Sequence, residues 1–311
     1  MDIDVLSFVI VLSLELTAGT FFNVFIISII FSDFYREKNM NDSNKIVLCI
    51  CASNVNYSVL IAAGIMDVYI GRHASYTYVL SYVYIILLLY SVGSCAWLSA
   101  GLGFFYFIKI SQVRLLSWVK FHISSIVPWM LLILEVVSLT ISFVRSLLLL
   151  PHLSRSRNIT DSPPSVMTVL AENKVGLINA AVATSSIPVV IILISTICTV
   201  WTLKRDSLKM KRGMETVDKR RLTPYERVVC RMTYFLFFYL AFYALILIFY
   251  FSIVVQVESG FWLTLMLMLS FAPVQSILMI LGNPRLKDAW KEILCYHDFV
   301  KLLRSTSDGA M

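Results

Sequence analysis

Seven stretches of this chain are each long and apolar enough to cross a lipid bilayer, and that leaves few folds open to it. A membrane-spanning helix needs about 20 mostly apolar residues. The stretches run Val5–Phe31, Ile46–Val68, Tyr78–Ile108, Ile123–Val144, Val175–Leu203, Val228–Val255 and Phe261–Leu281, each bounded by a charged or Pro/Ser/Asn-rich segment. Inside lipid every backbone N–H and C=O must be paired within the protein, so such stretches form helices. The expected fold is an all-α membrane protein: one seven-transmembrane-helix bundle, with residues 282–311 as a tail. Composition agrees, since 59% of the 311 residues are hydrophobic and only 14% are charged. Soluble domains carry about 25% charged residues. A soluble enzyme, a disordered chain and a coiled coil are all excluded.

Loop cations give the orientation, because cytoplasmic loops hold an excess of Lys and Arg. Of the 26 basic residues, only Arg72, Arg145, Arg155, Arg157 and Lys174 fall on one face of the bilayer. The others lie on the opposite face, ten of them from Lys204 to Arg231, alongside the acids Asp206, Glu215, Asp218 and Glu226. The N-terminus is therefore expected outside and the C-terminus in the cytoplasm. Met1-Asp2-Ile3-Asp4 lacks a basic lead, which predicts an uncleaved anchor in span one. The basic segment suits a G-protein surface or anionic lipid headgroups. Wedged between two spans, it is not expected to bind nucleic acid.

Cys49, Cys51, Cys95, Cys198, Cys230 and Cys295 all fall outside the outer loops, so no structural disulfide is expected. Cys49 and Cys51 lack the two further ligands that a metal pair requires. Asn158-Ile159-Thr160 is a glycosylation acceptor in an outer loop, whereas Asn41-Asp42-Ser43 and Asn56-Tyr57-Ser58 lie on the inner side and inside span two and should stay bare. Glu15 and Glu135 lie mid-span. An ionised carboxylate there costs about 2.5–3.5 kcal/mol, so each should be protonated or hydrogen-bonded inward. Asn23 and Asn54 are expected to join spans one and two.

Receptor, transporter and intramembrane enzyme all fit seven spans. The spans do not pair into halves as duplicated transporters do. No H-E-x-x-H, G-x-G-x-x-G or G-x-S-x-G string occurs, and the four histidines fall in loops, the tail or span ends, so neither catalysis nor a cofactor is expected.

Four strings sharpen the choice. Span three ends Phe104-Phe105-Tyr106-Phe107-Ile108-Lys109-Ile110, and span seven ends Gly282-Asn283-Pro284-Arg285-Leu286-Lys287 after Pro273-Val274-Gln275-Ser276. Span five carries Ile187-Pro188 and span one carries Gly19 and Asn23. Together they resemble the bitter taste receptors, a family of seven-helix G-protein-coupled receptors, over nearly the whole chain. A pheromone or odorant receptor is the near alternative, and a small-solute transporter the distant one. Asn54 stands where the family usually has Arg, and Gln275-Ser276 where it has His-Ser, which marks a divergent member.

The resemblance implies a plasma-membrane receptor for bitter small molecules, coupled to a gustducin-like inhibitory-class α-subunit with its βγ partner. It implies a switch at Tyr106 beside Lys109, with Tyr106 gripping spans five to seven at rest, and a role for Asn54, Gln275 and Ser276 in holding the resting state. Leu88, Val92, Phe242 and Met266 match pocket positions, and Asn179, Tyr239 and Trp262 add hydrogen-bonding partners. With Leu, Val and Met where the family often has Trp, Asn and a carboxylate, the pocket should favour apolar or neutral ligands.

Overall fold

The computed structural model describes residues 3–69, 78–110, 117–157, 186–202, 204–205, 234–235, 237–245, 247–248 and 270–294. Every regular element among them is a helix. These are α1 (Ile3–Glu37), α2 (Asp42–Tyr69), α3 (Tyr78–Ile110), the short α4 (Ser117–Phe121), α5 (Ile123–Arg157), α6 (Ser186–Thr202), α7 (237–245), α8 (Phe271–Gly282) and α9 (284–294). Among the described residues, four helices are long and apolar enough to cross a membrane: Ile10–Glu37, Asp42–Ala63, Tyr82–Lys109 and Ile123–Leu147. The shortest of these, 22 residues, rises about 33 Å and just spans the hydrocarbon core. α6 and α8 are shorter apolar helices.

Burial follows the membrane pattern. On α6 the exposed Ile187, Val190, Ile194, Ile197 and Trp201 recur at helical spacing and form one outward stripe. α5 does the same with Trp129, Leu132, Ile133, Val136, Leu139 and Phe143. The buried faces carry, beside their apolar core, small polar and amide side chains: Asn23, Asn54, Ser94, Ser99, Ser138, Ser142, Ser146, Ser195 and Gln275. Apolar-out and polar-in is what lipid demands, because greasy side chains gain nothing by leaving lipid for protein while polar ones do. This is a membrane protein.

α3 is the central helix, with most of its apolar length buried while α1, α2 and α5 turn most of theirs outward. The largest core cluster joins Ile26 and Ile30 of α1, Ile46 and Ile50 of α2, Leu98, Leu102 and Phe105 of α3, Val127 of α5, and Met279 and Ile280 of α8. Two glycines allow close crossings. At Gly19 an added Cβ would lie 3.2 Å from the Pro273 ring of α8, and at Gly101 it would lie 2.5 Å from Leu134 Cδ1 of α5.

Helix ends have local causes. α1 stops where Lys38 takes a left-handed conformation (φ 52°), donating its N–H to Phe34 O at 2.8 Å. Asp42 then opens α2, its charge suited to the positive helix start. α5 continues past the expected lipid boundary at Val144 to Arg157, since apolarity marks where lipid ends and not where a helix must stop. α9 returns along α1: Trp290 packs edge-on against Phe25 (5.3 Å) and tilted on Phe22 (5.6 Å), while Arg285 pairs with Asp33 and Glu37.

Candidate functional site

A polar junction sits at the centre of the described helices. Gln275, on α8, uses its full amide capacity there. Its Nε2 donates to Tyr239 Oη of α7 at 2.6 Å and to Ser99 Oγ of α3 at 2.9 Å. Its Oε1 accepts from Asn54 Nδ2 of α2 at 3.0 Å and from Cys95 Sγ of α3 at 3.2 Å. Asn54 also donates to Asn23 Oδ1 of α1 at 3.3 Å and accepts from Cys95 at 3.1 Å. Asn23 in turn donates to Gly19 O at 2.7 Å. Helices α1, α2, α3, α7 and α8 are thus held at one point by neutral groups. Gln275 is fully buried and Asn54, Cys95, Ser99 and Tyr239 nearly so. No formal charge is needed, which fits a chain with Asn and Gln at two positions where a charge would need a buried partner.

Local sequence explains the junction. Cys95 and Ser99 lie one turn apart on the buried face of α3, and Ser99 Oγ returns its proton to Cys95 O at 2.7 Å. Gln275 and Ser276 both face inward on α8, where Ser276 Oγ donates to Ala272 O.

An aromatic group lies beside it. Phe271, at the start of α8, stacks on Phe238 (5.4 Å, 24°), tilts onto Phe242 (4.5 Å) and meets Tyr239 edge-on (5.8 Å). A second polar seam joins α3 to α5: Tyr90 Oη donates to Glu135 Oε2 at 2.7 Å, and Ser94 Oγ reaches both oxygens at 2.8–2.9 Å. Glu135 is therefore hydrogen-bonded inward. Glu15 Oε2 is buried without a partner among the described residues, as a neutral carboxyl tolerates better than an ionised one.

At the end of the bundle where α1 meets α2, a cavity of about 330 Å³ is lined by residues that include Asp33, Glu37, Ser43, Tyr106, Lys109 and Arg285. Tyr106 Oη pairs with Ser43 Oγ at 2.9 Å. The start of span six (228–233), part of what the resemblance implied that Tyr106 grips at rest, lies outside the described residues; the bond seen ties Tyr106 to α2. Phe105 points into the core, which turns the next residue about 100° round α3 toward that helix. Lys109 Nζ lies 5.6 Å from the Phe105 ring centre. Asp42 holds the same end together, accepting from Lys45 Nζ at 2.8 Å and Ser124 Oγ at 2.7 Å.

The sequence reading placed Asn54, Gln275 and Ser276 in one functional group, and the structure joins Asn54 directly to Gln275. Tyr239 was grouped with ligand partners, whereas its hydroxyl is bonded to Gln275. Leu88 and Val92 are half-buried one turn apart on α3, and Phe242 is half-buried in the aromatic group. Asn158, Asn179, Trp262 and Met266 lie outside the described residues, as do Cys230 and Cys295. Cys95, Ser99 and Phe271 were missed. Two polar residues at i, i+4 in an otherwise apolar span were the available signal for the first two.

Residues 1–298 match the taste receptor protein family (TAS2R). The chain belongs to that family. Over 298 residues this taste receptor is 25% identical to taste receptor type 2 member 39 of Homo sapiens, covering 91% of this chain and 85% of that one. The figures for the Gorilla gorilla gorilla protein of the same name are identical. Over 211 residues it is 29% identical to taste receptor type 2 member 1 of Pan paniscus, covering 64% of this chain and 67% of that one. Its relatives are receptors and not enzymes, and a taste receptor has little use for catalytic residues inside the membrane.

Proposed function

We propose that this taste receptor crosses the plasma membrane seven times, amino end outside, and answers bitter, mostly apolar or neutral small molecules. Ligand binding shifts its population toward a state whose cytoplasmic face engages a gustducin-like inhibitory-class G protein. The family match over residues 1–298 carries the reading. The apolar Leu88 and Val92 and the aromatic Phe242 support a pocket that works by desolvation and dispersion, with Asn179, Tyr239, Trp262 and Met266 as further candidates. Tyr106 and Lys109, beside the cavity where α1 meets α2, are the proposed coupling residues. The junction of Asn54 and Gln275 with α3, with Ser276 buried beside Gln275, is the proposed restraint on the resting state. Asn158 is the proposed glycosylation site.

The test is a broad bitter-compound screen by calcium imaging in cells carrying a chimeric taste α-subunit. Ligand-dependent calcium release that requires the α-subunit supports the reading. Solute flux independent of any G protein would replace it with a transporter.

A further inference from the structure

We propose that Phe271 couples the aromatic face of α7 to the Gln275 junction, and so decides whether Tyr239 stays bonded there. Its ligand step rests on the receptor reading; its structural step does not. One side chain of α8 meets three residues within two turns of α7: Phe238 at 5.4 Å, Tyr239 at 5.8 Å and Phe242 at 4.5 Å between ring centres. Phe238 and Phe242 also touch each other at 6.1 Å, so Phe271 faces a continuous aromatic surface. The same ring packs against two core clusters, the large one shared by α1, α2, α3 and α8 and the smaller one of Ala100, Ile192 and Tyr239.

Phe271 and Gln275 are four residues apart on one helix and lie on nearly the same face. Between them Pro273 lies close enough to Gly19 of α1 that a Cβ added there would come within 3.2 Å of its ring. A sideways push on Phe271 rolls α8 about its own axis, and Gln275, on nearly the same face, moves with it. The same turn carries Gln275 Nε2 away from Tyr239 Oη, a bond 2.6 Å long in the arrangement seen here. A ligand that displaces Phe242 meets Phe271 first. Phe271 is a positioning residue: it acts on the junction through Gln275.

Cys95 reports on the junction directly, because its thiol lies against both Asn54 and Gln275 and is almost fully buried. In purified full-length protein in lipid nanodiscs, N-ethylmaleimide labelling of Cys95 is followed by peptide mass spectrometry. Cys51, buried on α2, serves as the internal reference. Phe271→Leu should raise the Cys95 rate relative to Cys51 by about fivefold, the scale of one aromatic contact. Phe242→Leu should do the same. An unchanged ratio in Phe271→Leu overturns the proposal. If that variant unfolds, shown by equal labelling of all cysteines, Phe271→Met decides on the same criterion.

In the calcium assay, Phe271→Leu should lower the maximal response several-fold with a nearly constant half-maximal concentration, and should add nothing in a Gln275→Leu background. Additive losses would make Phe271 an independent packing residue and overturn the coupling. A wild type silent to every ligand would defeat the receptor reading, while the labelling ratio would still decide the coupling.

Discussion

Tyr239→Phe deletes one oxygen atom and with it one bond, from Gln275 Nε2 at 2.6 Å. The ring stays, so its contacts with Phe238 at 5.5 Å and Phe271 at 5.8 Å stay too. Hydrogen bonds between membrane helices average about 0.6 kcal/mol and reach about 1.7 kcal/mol. If the bond holds α7 at rest, losing it shifts the resting population by about threefold to about eighteenfold toward states in which α7 has left the junction. The melting temperature should fall by about 1–7 °C. Both effects are measurable on one nanodisc preparation, by ligand-independent nucleotide exchange on the G protein and by a thermal melt. Raised basal exchange with lowered stability is the expected pair. Basal exchange and melting both unchanged would show that the bond holds nothing. Lowered basal exchange would mean that the arrangement seen here is not the resting one.

Other predictions concern packing, the ion pairs and the pocket. Gly19→Ala should destabilise more than Gly101→Ala in a thermal melt, although its clash is milder (3.2 against 2.5 Å), because the Pro273 ring cannot move and the tip of Leu134 can. Arg285→Ala removes pairs to Asp33 and Glu37 from a half-exposed site, so it should cost under about 1 kcal/mol and less still at high salt. Val92→Trp should reduce or narrow the ligand response at unchanged surface expression, and a full response across ligands would put the pocket elsewhere. Asn158→Gln should abolish a glycosidase-sensitive shift on a gel, and unaltered mobility would reverse the assignment of that loop.

Among the described residues, the four long helices were legible because lipid imposes a length and a composition that few soluble segments share. α3 illustrates this, expected from Tyr78 to Ile108 and found from Tyr78 to Ile110. The Asn23–Asn54 contact was legible for a related reason: an amide in an apolar span has to find another polar group. The partner choice of Gln275 was not. Which of Ser99, Cys95, Tyr239 and Asn54 it meets depends on the rotation of four helices about their axes, and an apolar pattern fixes that only coarsely. Tyr239 shows the consequence: expected among the ligand partners, it also stands 2.6 Å from an amide that no apolar pattern could place there. Glu135 is the intermediate case. Its need for donors followed from depth in the bilayer, but their identity as Tyr90 and Ser94 followed only from the α3–α5 crossing. The bond from Tyr106 to Ser43 of α2, one residue past the buried Phe105, depended on the same rotation.

The most direct measurement is G-protein nucleotide exchange catalysed by the purified chain in nanodiscs, with and without bitter compounds of neutral, apolar character. The account predicts exchange that rises with ligand and disappears when the inhibitory-class α-subunit is omitted. Ligand-driven solute movement across sealed vesicles, with no acceleration of exchange by any α-subunit, would contradict it.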